Sequence, residues 1–273
     1  MSASAIRPAA VAGVFYPSDA RALVHEIQRC LRSVPAAAAP SARPPKLLVV
    51  PHAGMVYSGP VAAHAYARLA PWRSVCTRVV LLGPAHRVPV RGLAAPTVRA
   101  FQTPLGRVDI DTRTLDGLRP LRQVTFDDRP HAMEHALEVQ LPFLQHLLER
   151  FVLVPLVVGD ATPDEVADVV ERLWDGEDTL VVVSTDLSHY LPYAQAQARD
   201  RATVTRVLRF DTAIDTDEAC GAHPLNGALR VAQRRGLVPR LLDLRNSGDT
   251  AGDRRRVVGY AAIAYDVAAE AAQ

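Results

Sequence analysis

The stretch KLLVVPHAGMVYSG, residues 46–59, decides how this chain is read. Its first half is apolar and β-branched, as in a buried strand. The strand then breaks into Pro51, His52 and two glycines, not into the Asn, Asp or Ser that commonly end a strand serving only a core. In open α/β sheets, ligands sit beyond the carboxyl ends of the strands, so His52 stands where a working side chain belongs. Three more runs read as buried strands: RVVLL (78–82), FVLVPLVV (151–158) and TLVVVS (179–184). The segments PVAAHAYARLA (60–70), TPDEVADVVERLW (162–174) and PLNGALRVAQRRG (224–236) read as helices. The second has Thr162 as N-cap and Pro163 at the first helical position. This alternation predicts an α/β protein, a single-domain three-layer α/β/α sandwich over residues 1–273 with a largely parallel central sheet. RLLDLRNSGD (240–249) and RRVVGYAAIAYDV (255–267) read as two strands pairing antiparallel at one edge. VPAAAAPSARPP (34–45) reads as a surface linker.

Bulk composition narrows the function classes. A net charge of +2 provides no basic field for nucleic acid or acidic membranes. Lys46 is the sole lysine, and the run Arg254-Arg255-Arg256 reads as a solvated loop. Cys30, Cys76 and Cys220 are odd in number and widely spaced, which argues against a disulfide framework and for a reducing compartment. The opening MSASAIRPAAVAG lacks the pattern of a signal peptide, and no apolar run approaches the roughly 18 residues of a membrane span. A cytoplasmic protein with no nucleic-acid or membrane partner is expected.

Polar groups that a core would not need follow three of the strands. They are Pro51-His52-Ala53-Gly54, Gly83-Pro84-Ala85-His86 and Thr185-Asp186-Leu187-Ser188-His189-Tyr190. A fourth element, ACGAHPLNG (219–227), places Cys220 just before a helix whose start is marked by Pro224. Parallel strands bring their carboxyl ends together, so these groups are expected to meet. Neutral imidazole and thiolate suit Zn, Cu or Fe, and a helix N-terminus should favour the Cys220 thiolate. Three protein ligands, His52, His86 and Cys220, would leave positions open for water, O₂ or substrate. Asp186 and His189 are acid/base candidates. Gly54 and Gly59 are expected to shape the loop carrying His52, with Tyr57 facing the pocket. In MEHALEVQLPFLQHLL (133–148), Glu134 and His135 are expected to line the site. His135 and Glu138 also have an i, i+3 spacing able to bind metal. His223, in Cys220-Gly221-Ala222-His223, joins the pocket candidates and also permits a thiol hydrolase, which ranks third.

RPAAVAGVFYP, PHAGMVYSG, GPAH, EHALEVQLPFLQ, STDLSHY, CGAHPL and NSGDTAGDRRRVVGYAAIAY occur in an order that resembles the Memo family, also called AmmeMemoRadiSam system protein B. The resemblance spans almost the whole chain. It implies a fold like that of class III extradiol dioxygenases, with a cysteine in place of their carboxylate ligand. It also implies His52, His86 and Cys220 as ligands of Fe or Cu, or of Zn, with Asp186 and His189 lining the pocket, and a functional link to radical SAM proteins. The expected activity is redox or oxygen chemistry on a small molecule. The alternative is a non-enzymatic protein that binds metal or a peptide in the same pocket.

Overall fold

The computed structural model describes residues 5–35, 43–174 and 176–268. In chain order its strands are β1 (Ile6–Arg7), β2 (Leu47–Val50), β3 (Arg78–Pro84), β4 (Leu93–Ala95), β5 (Ala100–Thr103) and β6 (Gly106–Asp109). There follow β7 (Val124–Phe126), β8 (Val152–Val158), β9 (Thr179–Ser184), β10 (His189–Leu191), β11 (Val238–Asn246) and β12 (Val257–Asp266). The helices are α1 (Ala20–Arg32), α2 (Met55–Tyr66), α3 (Thr112–Asp116), α4 (Arg129–Ala132) and α5 (His135–Glu138). They continue with α6 (Leu141–Leu147), α7 (Pro163–Leu173), α8 (Tyr193–Leu208), α9 (Ala222–Arg234) and α10 (Ser247–Thr250).

Nine strands form the main sheet, in the order β10-β12-β2-β9-β3-β8-β4-β7, with β11 also paired to β12. The four central strands, β2, β9, β3 and β8, run parallel. Every residue of β2 and β9 is buried, which requires helices on both faces and explains why these segments are apolar without alternation. The flanks are mixed: β12 joins β2 antiparallel and β4 joins β8 antiparallel. The sheet is parallel through its centre and again at the outer β4–β7 pair, and mixed elsewhere. The two tail strands pair antiparallel as expected. A second, three-stranded sheet is made of β1, β5 and β6.

Local chemistry accounts for the flanking helices. Asp19 caps α1 by accepting from the backbone N–H of Ala22, and Leu23, Ile27 and Cys30 form its buried stripe at i, i+4 and i+7. Thr162 and Glu165 form a capping box at the start of α7, which buries Val166, Ala167, Val169, Val170 and Leu173. Two expectations need correction. The helix after β2 begins at Met55, five residues before the expected Pro60, so Gly54 is its N-cap and Gly59 lies inside it. Gly54 has φ −52°, so neither glycine shapes a left-handed loop. Gly59 is small for packing: a Cβ there would come 2.8 Å from Met55 Cγ and 3.1 Å from Cys30 Sγ. Helix α9 likewise starts two residues before Pro224. Residues 36–42 of the expected linker lie outside the described residues. Among the described residues, no helix is long and apolar enough to cross a membrane.

Candidate metal centre

The strand order builds the site. Strand β9 lies between β2 and β3, and Val50 is in register with Ser184. His52, two residues past β2, and His86, two residues past β3, therefore flank the end of β9 at one sheet edge. Their rings lie 5.2 Å apart, nearly perpendicular. Cys220 reaches the same point from just before α9, with its Sγ 3.3 Å from His52 Nε2. One ligand atom each from His52, His86 and Cys220 lies within 4.8 Å of the others, a spread that could hold a metal ion. Metal bonds of about 2.0–2.3 Å bring donors within roughly 4 Å of one another, and the Cys220–His52 pair at 3.3 Å meets that.

Cys220 can approach because position 221 is glycine. A Cβ there would come 2.7 Å from the Ser184 carbonyl oxygen and 2.7 Å from Thr185 Cβ. The backbone N–H of Asp186 points at Cys220 Sγ from 3.3 Å. The expectation of a thiolate favoured by the helix terminus is not met. Burial, reinforced by the Asp186 carboxylate, pushes the thiol up to about 12 against weaker hydrogen bonds that pull it down. Without a metal the group is a thiol.

Each histidine is held from behind. Glu134, itself buried, accepts the backbone N–H of His86 at 2.7 Å and sits 2.9 Å from its Nδ1. A carboxylate can only accept, so His86 turns an Nδ1–H toward it and faces its Nε2 away from Glu134. Burial would raise Glu134, but the hydrogen bond and charge of His86 reverse this and leave it at about 2. His52 is buried, and its Nδ1 lies 2.9 Å from Ser184 Oγ. Burial first, then the nearby His86, hold His52 at about 3, so the imidazole is neutral.

His86, Glu134 and His135 form a second group with ligand-like spacing. The oxygens of Glu134 already accept from His86 and from the backbone N–H of Ala136, so this group is better read as a clamp on the imidazoles. His135 stacks on His86 with centroids 4.6 Å apart and also meets the Phe15 ring at 4.6 Å. Its Nδ1 is 3.3 Å from Glu134, within ion-pair distance but without hydrogen-bond geometry. Burial, then the neighbouring His52, hold His135 at about 4. Glu138 faces the other way. It accepts from Arg7 at 2.6 Å, from the Tyr16 hydroxyl at 2.5 Å, and from the backbone N–H groups of Ala10 and Val11. It anchors the N-terminal segment.

Asp186 is buried and accepts the backbone N–H of His52 at 2.7 Å, so its main contact is with the loop rather than with His189. Burial raises its carboxyl group above the ordinary range. His189 is exposed in β10, close enough to interact electrostatically with Asp186 and His52. Tyr57 is 40% exposed, which places it outside the core. Tyr190, 62% exposed, has φ 59°, an uncommon strain for an aromatic residue beside such a site. His223 is tied elsewhere, with its Nδ1 2.9 Å from the Ala161 carbonyl oxygen. Ser184, Gln140 and Gly221 escaped sequence reasoning. Ser184 reads as the last residue of a strand and Gln140 as a polar break in a leucine stripe; only the glycine of CGAHPL offered a signal.

A family model described as Memo-like protein matches residues 7–264. A MEMO1 family protein of Sulfolobus acidocaldarius is 35% identical, covering 95% of this chain and 99% of that relative. One from Methanopyrus kandleri is 39% identical over 95% and 98%. One from Aquifex aeolicus is 32% identical over 95% and 99%.

Proposed function

Because the chain belongs to the Memo family, we propose that it binds a transition metal ion through His52, His86 and Cys220 and carries out redox or oxygen chemistry on a small molecule. The observation that supports this most is the convergence of two imidazoles and a cysteine from three separate elements at one sheet edge. Donors of this kind suit Fe, Cu or Zn and do not suit Mg or Ca. A bound Fe or Cu ion would supply a redox-active Lewis acid with positions open to O₂ and a ligand. The protein's own part is to orient both histidines, to hold His52 neutral by burial, and to give up the Cys220 proton on binding. His189 at the exposed mouth is the proposed general acid/base, with buried Asp186 as its electrostatic partner. Tyr57 and His135 would contact the substrate. A reducing cytoplasm suits the free thiols of Cys30, Cys76 and Cys220.

Metal analysis of protein purified without chelators tests the ligand set. Fe, Cu or Zn should be present, and Cys220→Ala and His52→Ala should each lower the content at least tenfold. Cys76→Ala, at a buried thiol remote from the site in the fold, should leave it unchanged. Equal retention in all three variants would rule the assignment out. Oxygen uptake by the metal-loaded protein, screened with catechol-like compounds, tests the chemistry. Uptake no greater than that of free metal across the panel would favour a non-enzymatic binder.

A further inference from the structure

An imidazole can offer Nε2 to a metal only if its proton sits on Nδ1. For His86 a carboxylate enforces this. For His52 the neighbour is a hydroxyl, Ser184 Oγ, which can donate or accept. The surrounding groups decide which it does. Gln140 Nε2 is 2.9 Å from the Pro51 carbonyl oxygen, which only accepts, so the amide nitrogen must face it. On the other side the Tyr66 hydroxyl donates to Gln140 Oε1 at 2.8 Å. The second proton of Gln140 Nε2 points at Ser184 Oγ from 2.8 Å, so Ser184 accepts there. Ser184 Oγ also lies 2.7 Å from the Ala136 carbonyl oxygen, another group that only accepts, and its single proton goes to it. The hydroxyl then has one lone pair left and no proton to give. His52 Nδ1, at 2.9 Å, must donate to it.

We infer that Ser184, set in direction by Gln140, is a positioning residue that locks His52 as its Nδ1–H tautomer and bares Nε2 toward Cys220. Tyr66 and Ser184 are fully buried, and Gln140 and His52 are 1% exposed, so solvent offers no competing partners. The chain of donors and acceptors closes with every proton assigned. Its value for metal binding rests on the proposed function, whereas the tautomer itself does not.

Proton-detected ¹⁵N spectra of the imidazole rings in the metal-free, labelled protein read the tautomer directly, with His52→Gln used for assignment. His52 should show the neutral Nδ1–H pattern. Ser184→Ala should shift it toward Nε2–H and weaken Zn²⁺ binding about 10–100-fold, and Ser184→Thr, which keeps the hydroxyl, should restore both. The His131 signals, from a ring bonded to the Ala94 carbonyl, report whether each variant is folded. An Nε2–H or charged His52 in the parent protein would overturn the inference. So would a folded Ser184→Ala protein with unchanged tautomer and affinity. The parent spectrum decides the tautomer even if that variant does not fold. An Nδ1–H His52 in a protein that binds no metal would instead defeat the proposed function and leave the tautomer standing.

Discussion

Glu134 and Glu138 lie one turn apart and are both buried, yet they serve different neighbours. Glu134 orients His86, and Glu138 pairs with Arg7. Arg7 also donates from Nε to the His131 carbonyl at 2.5 Å and from Nη2 to the Glu134 carbonyl at 2.8 Å. The Arg7–Glu138 pair thus ties the first residues of the chain to the segment that carries the clamp. Its removal should act on stability more than on chemistry. Glu138→Gln would leave the buried Arg7 charge uncompensated, at a cost of about 3–5 kcal/mol. Urea denaturation checks this, and a cost below about 1 kcal/mol would show that the pair contributes little.

At the scale of elements, the close contact of α7 and α9 matters because α9 follows Cys220. Gly227 permits that contact: a Cβ there would come 2.3 Å from Val166 Cβ. Gly227→Ala should therefore destabilise the fold by about 1–3 kcal/mol through overpacking, despite the better helix propensity of alanine. Combining it with Val166→Ala should recover part of the loss, and a double-mutant cycle by thermal unfolding measures the coupling. If Gly227→Ala alone proves stabilising, the helices have room to separate. Thr162→Ala, at the capping box of α7, should cost about 1 kcal/mol without altering metal content.

The whole molecule couples its stability to pH through buried neutral histidines. His131 is 2% exposed and is held at about 4, mainly by burial. Its unfolded value is about 6.5. The folded state therefore binds fewer protons than the unfolded chain between pH 4 and 6.5. The contribution is complete above about 6.5 and is lost as pH falls toward 4, a total of about 3 kcal/mol. Burial raises Asp186 and Asp200, which act in the opposite sense just above the ordinary carboxyl range. Comparison of variants is thus the sharper test. For the metal-free protein, the slope of unfolding free energy against pH between 4 and 6.5 should fall by about one proton in His131→Gln. An unchanged slope would mean that His131 takes up its proton in the folded state as readily as in the unfolded one.

What the sequence determined by itself was whatever depends on near neighbours or on strand ends sharing an edge. Unalternating apolar runs marked β2, β3, β8 and β9 as strands buried on both faces, and Thr162-Pro163 marked the start of α7. Polar residues after three of these strands placed His52, His86 and Asp186 near one another, because parallel strands point their carboxyl ends the same way. Only the tertiary structure decided the rest. It set β9 between β2 and β3, so that Ser184 stands behind His52. It turned Glu134 toward His86 and Glu138 toward Arg7, although one short stretch holds both. It also desolvated the thiol of half-buried Cys220 enough to outweigh the hydrogen bonds that favour its thiolate. Periodicity and capping are local properties that a sequence displays. Hydrogen-bond direction and desolvation depend on residues 44 to 168 positions apart, as between Ser184 and Gln140 or Cys220 and His52, and they exist only once the chain has packed.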